Sequence, residues 1–89
     1  MTMPPERDAI DGPADPVPVA DAWDAGGMGC GELVMALRLR LRDLPAGAVV
    51  RVTATDPAAP LDLPAWCRLC GHTLLAMTHP VYWIRRKGP

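Results

Sequence analysis

Eighty-nine residues, 49% hydrophobic and 21% charged, fit one small globular domain and leave no room for a second. A net charge of −1 gives no strong electrostatic footprint for nucleic acid, and no run reaches the ~18 apolar residues that span a bilayer. Three cysteines cannot all pair within the chain, which argues against a disulfide-built secreted scaffold.

Free thiols are then the expectation, and an N-terminus without an apolar signal core points to the cytoplasm. Residues 1–18 hold five of the eleven prolines and carry Glu6, Asp8, Asp11 and Asp15 against Arg7 alone. Such a stretch buries too little apolar surface to offset its ordering. It predicts a flexible tail over 1–18 and a folded domain over 19–89. That domain has eight Lys/Arg against six Asp/Glu, a mild excess and not a polybasic patch.

Residues 19–24 alternate small or apolar with acidic side chains, which predicts a short strand. Residues 25–31 contain four glycines and read as a loop that another molecule can approach closely. Residues 32–44 are ambiguous. Arg38-Leu39-Arg40-Leu41-Arg42 alternates as a strand would, while Leu33, Val34, Leu37, Leu41 and Leu44 follow helical spacing. Thirteen residues without a breaker exceed an ordinary strand, so length favours a helix. Residues 49–54 are rich in valine and predict a central strand.

Residues 56–60 form a proline-rich loop. Asp62 can cap a helix that begins at Leu63, with Pro64 in its first turn. Leu63, Trp66, Cys67 and Cys70 then share one apolar stripe, and Gly71 suits the residue after the helix. Residues 72–78 and 81–86 read as two strands joined by a tight turn. The order β-α-β-α-β-β predicts an α/β (α+β) two-layer sandwich, a four-stranded mixed sheet with both helices on one face.

Chemistry has two candidate seats. Cys30 lies between the glycine loop and the first helix, where unpaired amides and the helix dipole favour an anion. A thiol there is expected to have a lowered pKa and to be reactive. Gly29 and Gly31 leave its sulfur open; an ordinary loop cysteine is the alternative. Cys67 and Cys70 form a C-x-x-C, which suits a redox dithiol or part of a zinc site with His72 and Cys30. A second ligand pair is missing, however, and both cysteines sit on the apolar stripe, where cysteine packs as a small hydrophobe. His72 and His79 read as a strand start and a turn residue. Arg38 and Arg42 mark a solvated helix face that could also steer an acidic partner.

Taken in order, these pieces resemble the TusA/SirA sulfur-carrier family. Gly27-Met28-Gly29-Cys30-Gly31-Glu32-Leu33 is similar to its G-L-x-C-P-x-P signature. Thr55-Asp56-Pro57 is similar to its D-D-P, and Asp62-Leu63-Pro64-Ala65-Trp66-Cys67 with Gly71-His72-Thr73-Leu74 to its D-I-P-x-W/F-C and G-H-E-L. Pro45-Ala46-Gly47 and the closing Tyr82-Trp83-Ile84-Arg85-Arg86-Lys87 complete a resemblance that runs from about 19 to 87.

The resemblance implies the same two-layer fold and a carrier that holds sulfur as a persulfide on Cys30, without metal or organic cofactor. It implies a protein donor such as a cysteine desulfurase and a protein acceptor, in tRNA thiolation, cofactor maturation or sulfur metabolism. It also places Glu32, Arg38 and Asp56 on the partner-binding surface, and reads Asp62 as a structural helix cap. Direct nucleic-acid or membrane contact is not expected, and the free carrier is expected to be a monomer. Gly31 and Leu33 replace both signature prolines, and Thr55 replaces an aspartate. A binding or regulatory module without sulfur transfer is therefore the alternative, beside the redox or zinc site at Cys67, Cys70 and His72.

Overall fold

The computed structural model describes residues 18–88. The expected tail, residues 1–18, lies outside them apart from Pro18. The elements are β1 (Asp21–Gly26), α1 (Cys30–Arg42), β2 (Val49–Ala54), α2 (Ala59–Cys70), β3 (Thr73–Thr78) and β4 (Val81–Arg85). They form one sheet in the order β1-β2-β4-β3. β1 and β2 are parallel, and β4 runs antiparallel to both β2 and β3. The mixed sheet with two helices is the architecture expected from the sequence.

The helical reading of the arginine-leucine repeat holds. Leu33, Leu37 and Leu41 line one face of α1 and are fully buried. They meet Ala59, Leu63 and Cys67 of α2 over Val50, Val52, Ala54, Tyr82 and Ile84 of the sheet. Both apolar stripes thus cover the same sheet face, and hydrophobic burial fixes the two-layer arrangement. Arg40 leaves the repeat's solvated side. It pairs with Asp21 at 2.6 Å and lies 4.4 Å over the Trp23 ring, which fastens α1 to β1.

Both helices start earlier than their periodicity predicts. α1 opens at Cys30, two residues before the expected start. α2 opens at Ala59, four residues before Leu63, so Asp62 lies inside its first turn and is not the cap. The expectation placed Pro64 in the first turn because a proline donates no backbone bond. Pro60 takes that place instead, and Pro64 is held inside the helix. α2 ends on Gly71, whose φ of +82° supplies the left-handed cap that glycine adopts without strain.

Candidate functional site

Cys30 is the first residue of α1 and is half-buried. Gly29 precedes it as the cap residue and offers no side chain to the helix amides. A Cβ on Gly29 or Gly31 would meet nothing within 4 Å, so nothing crowds the two glycines that flank Cys30. Gly26, at a φ of +58°, turns β1 into this loop. Its carbonyl accepts from both the Thr55 amide and the Thr55 hydroxyl, each at 3.0 Å. The glycine loop is thereby tied to the loop after β2.

That second loop supplies the main surprise. Asp56 Oδ2 accepts the Cys30 amide at 3.1 Å, and Asp56 Oδ1 accepts the Ala58 amide at 2.9 Å. One carboxylate therefore serves the N-termini of both helices. It occupies the position in which the amides were expected to hold a sulfur anion. The Ala58 hydrogen bond, together with Cys30, keeps the Asp56 carboxyl below its usual range.

The consequence for the thiol reverses the expected lowered pKa. Burial pushes the Cys30 thiol up to about 11, reinforced by the nearby carboxyl groups of Asp62 and Asp56. Neither the flanking glycines nor the helix dipole offsets that burial and the neighbouring carboxylates. At neutral pH the free chain holds Cys30 as a thiol.

Tyr82 completes the surroundings. It is fully buried on β4, and its hydroxyl lies 2.6 Å from Nδ1 of His79. Burial raises the Tyr82 pKa, and the nearby Cys30 raises it further. Sequence reading assigned Tyr82 only to the closing strand, His79 only to a turn and Asp62 only to a cap. No periodicity or motif separates such residues from structural ones.

Cys67 and Cys70 do not join this site. Cys67 is buried in the core, and burial, with Cys70 next in weight, pushes its thiol up to about 11. Cys70 is half-buried at the far end of α2. His72 Nδ1 accepts the Lys87 amide at 3.0 Å, and its ring lies 5.3 Å from that of Trp66. Among the described residues no group of three or more His, Cys, Asp or Glu is placed to hold a metal ion. The C-x-x-C thus divides between core and surface.

Glu32 and Arg38 are exposed on α1. Arg38 and Arg42 edge a groove of about 490 Å³ between the helices, with Arg86 and Lys87 opposite and Met35 and Leu69 on its apolar rim. No carboxylate lines it.

The chain is similar to proteins of one described family. A family model described as sulfurtransferase TusA matches residues 23–86. The sulfur carrier protein TusA of Pseudomonas syringae pv. syringae (strain B728a) is 42% identical over 80 residues, covering 85% of this chain and 95% of that protein. The sulfur carrier protein TusA of Pseudomonas entomophila (strain L48) is 44% identical over 69 residues, covering 73% of this chain and 86% of that protein.

Proposed function

This chain belongs to the sulfurtransferase TusA family, and we propose that it carries sulfur as a persulfide on Cys30 between a protein donor and a protein acceptor. The observation that supports this seat is the position of Cys30, at a helix start with open glycines on both sides. The Cys30 thiolate attacks the terminal sulfur of a donor R–S–SH. A bond forms from Sγ to that sulfur as the donor's own S–S bond breaks, and the donor leaves as a thiolate that takes up a proton. An acceptor thiolate then removes the terminal sulfur from Cys30–S–SH, and Cys30 is the leaving thiolate. No net oxidation occurs, so no redox cofactor is required.

A cysteine desulfurase or a similar persulfide enzyme fits the donor role. Glu32 and Arg38, both exposed on α1, are read as contacts for these partners, and the cationic groove edged by Arg38 suits an acidic docking element. Asp56 acts from inside the site, as the anchor of both helix starts. The carrier is read as a cytoplasmic monomer that touches neither nucleic acid nor membrane, whichever sulfur relay it serves.

The test is incubation with a cysteine desulfurase and labelled cysteine, followed by peptide mass spectrometry. One added sulfur atom is expected on the Cys30 peptide and none in Cys30→Ala. An adduct that persists in Cys30→Ala and disappears in Cys67→Ala would overturn the assignment. The raised Cys30 pKa favours one rival, a binding module without sulfur transfer. That rival predicts no adduct on any cysteine while partner binding survives Cys30→Ala.

A further inference from the structure

The groove between the helices is both cationic and apolar. Arg38 and Arg42 edge it from α1, and Arg86 and Lys87 face them. Among the described residues the ion pair is Arg40 with Asp21, so no carboxylate there answers these four charges. Met35 and Leu69 on the rim are 59% and 85% exposed, and Trp66 is half-buried in the wall. Such a surface fits an acidic segment that also carries apolar side chains. The start of the chain has that composition. Residues 1–17, which precede the described fold, hold Glu6, Asp8, Asp11 and Asp15 against Arg7 alone, with Met3 and Ile10 among them. The fold also delivers them to the mouth of the groove. The Ala20 amide donates to the Val49 carbonyl, and the Arg86 amide to the Ala48 carbonyl, each at 2.8 Å. The entry of the chain and Arg86 thus lie at the same end of the sheet, two strand spacings or about 10 Å apart. α1 ends there as well, because its Arg40 pairs with Asp21 at the start of β1. Five residues of extended chain cover about 16 Å. That brings Asp15 within reach of Arg86 and leaves Asp11, Asp8 and Glu6 for the length of the groove.

We propose that the acidic segment of residues 6–15 docks in this groove within its own chain, with Ile10 on the apolar rim and the carboxylates on Arg38, Arg42, Arg86 and Lys87. The proposal goes beyond the carrier reading and stands whether or not Cys30 carries sulfur. Each exposed ion pair contributes little by itself, but the groove gathers four cations without an opposing charge. Tethering adds the rest, since a segment joined by a short length of chain meets its site at a concentration in the millimolar range. The five prolines of residues 1–18 reduce the backbone freedom that docking removes. The docked segment covers the surface on which an acidic element of a partner would sit. A weak partner is kept off and a strong one displaces it, so the first residues of the chain set the threshold for docking.

The experiment compares the full chain with a full-length variant that combines Glu6→Gln, Asp8→Asn, Asp11→Asn and Asp15→Asn. These changes remove the charge and touch no residue of the core. In nitrogen-15 NMR spectra the amide shifts of Arg38, Arg42, Leu69, Cys70 and Lys87 are expected to differ between the two, and that of Thr78, on the far strand β3, to stay the same. Cys70, half-buried in the groove wall, gives the second readout. Its alkylation by neutral iodoacetamide, followed by peptide mass spectrometry, is expected to be about twofold or more faster in the variant. That difference is expected to vanish in ~1 M salt, where charges are screened within about 3 Å. Arg42→Glu, with circular dichroism to report its fold, is expected to speed Cys70 as the tail variant does. Identical shifts and identical Cys70 rates in wild type and tail variant would overturn the proposal and leave the groove open to a partner. A difference that grows with protein concentration would overturn it too, the occupant then being the segment of a second copy. Sulfur loading of Cys30 is read separately, from the mass of its own peptide, so failure here leaves the carrier reading intact.

Discussion

Cys67 offers a sharp test of whether the C-x-x-C is core or chemistry. The residue is 2% exposed and packs with Leu63, Leu37 and the inner face of the sheet. Cys67→Ala deletes one buried heavy atom, which costs about 0.8 kcal/mol in lost transfer free energy by analogy with a methylene. A void of a few tens of Å³ at ~24 cal/mol per Å³ adds roughly 0.5–1 kcal/mol. The sum is about 1.5 kcal/mol, or roughly 6–12 °C in Tm for a domain of this size. Cys67→Ser fills the volume but buries a hydroxyl, at about 1–3 kcal/mol if it stays unpaired. Cys70→Ser, at a half-buried position, should change stability by less than about 0.5 kcal/mol. Urea unfolding of the three variants, with native-state alkylation of each thiol, reads all of this. A Cys67→Ala variant as stable as wild type, or a native Cys67 that alkylates as fast as Cys70, would refute the core assignment and reopen a redox role.

Other outcomes follow from the same contacts. Arg40→Ala removes the Asp21 pair and the stacking on Trp23. With both charged side chains about a third exposed, the loss should be about 1 kcal/mol and smaller at high salt, read by urea unfolding with and without salt. His72 has a lowered pKa, from burial and then from Lys87 and Arg86. Below its ordinary value the unfolded chain binds more protons than the folded one, so this contribution is present above pH ~6.5 and is lost as pH falls through the folded pKa. His72→Gln should flatten that limb of a stability-versus-pH curve, and an unchanged slope would remove His72 as its source. Leu37→Ala, at the centre of the α1 stripe, should lose about 2–5 kcal/mol by thermal or urea melting.

What the sequence made legible was periodic. Leu33, Leu37 and Leu41 announce a buried helical face, and the valines of β2 announce a central strand, because burial repeats with the geometry of the element. The start of α2 was not legible. Pro60 and Pro64 both fit a first turn, and only the fold decides between them. The direction of the Cys30 pKa was misread for a related reason. A helix start leaves amides unpaired only until something else pairs with them. Here the partner is a carboxylate 26 residues away in the chain. The bond between Arg40 and Asp21 escaped the reading likewise, since nothing in Arg38-Leu39-Arg40-Leu41-Arg42 marks the middle arginine as different.

The topology explains why the hidden contacts gather at one place. β1 and β2 are parallel neighbours, so the two helices that follow them both begin at the same end of the sheet. The first helix brings a thiol to that end. The loop before the second brings Asp56, and its first turn brings Asp62. β4, running back between β2 and β3, sets Tyr82 beneath them. Two helix N-termini side by side attract negative charge, and Asp56 answers both. That arrangement sacrifices the dipole's help to the thiol, because the amides can serve one anion at a time. A carrier on this scaffold therefore cannot draw its thiolate from the helix alone.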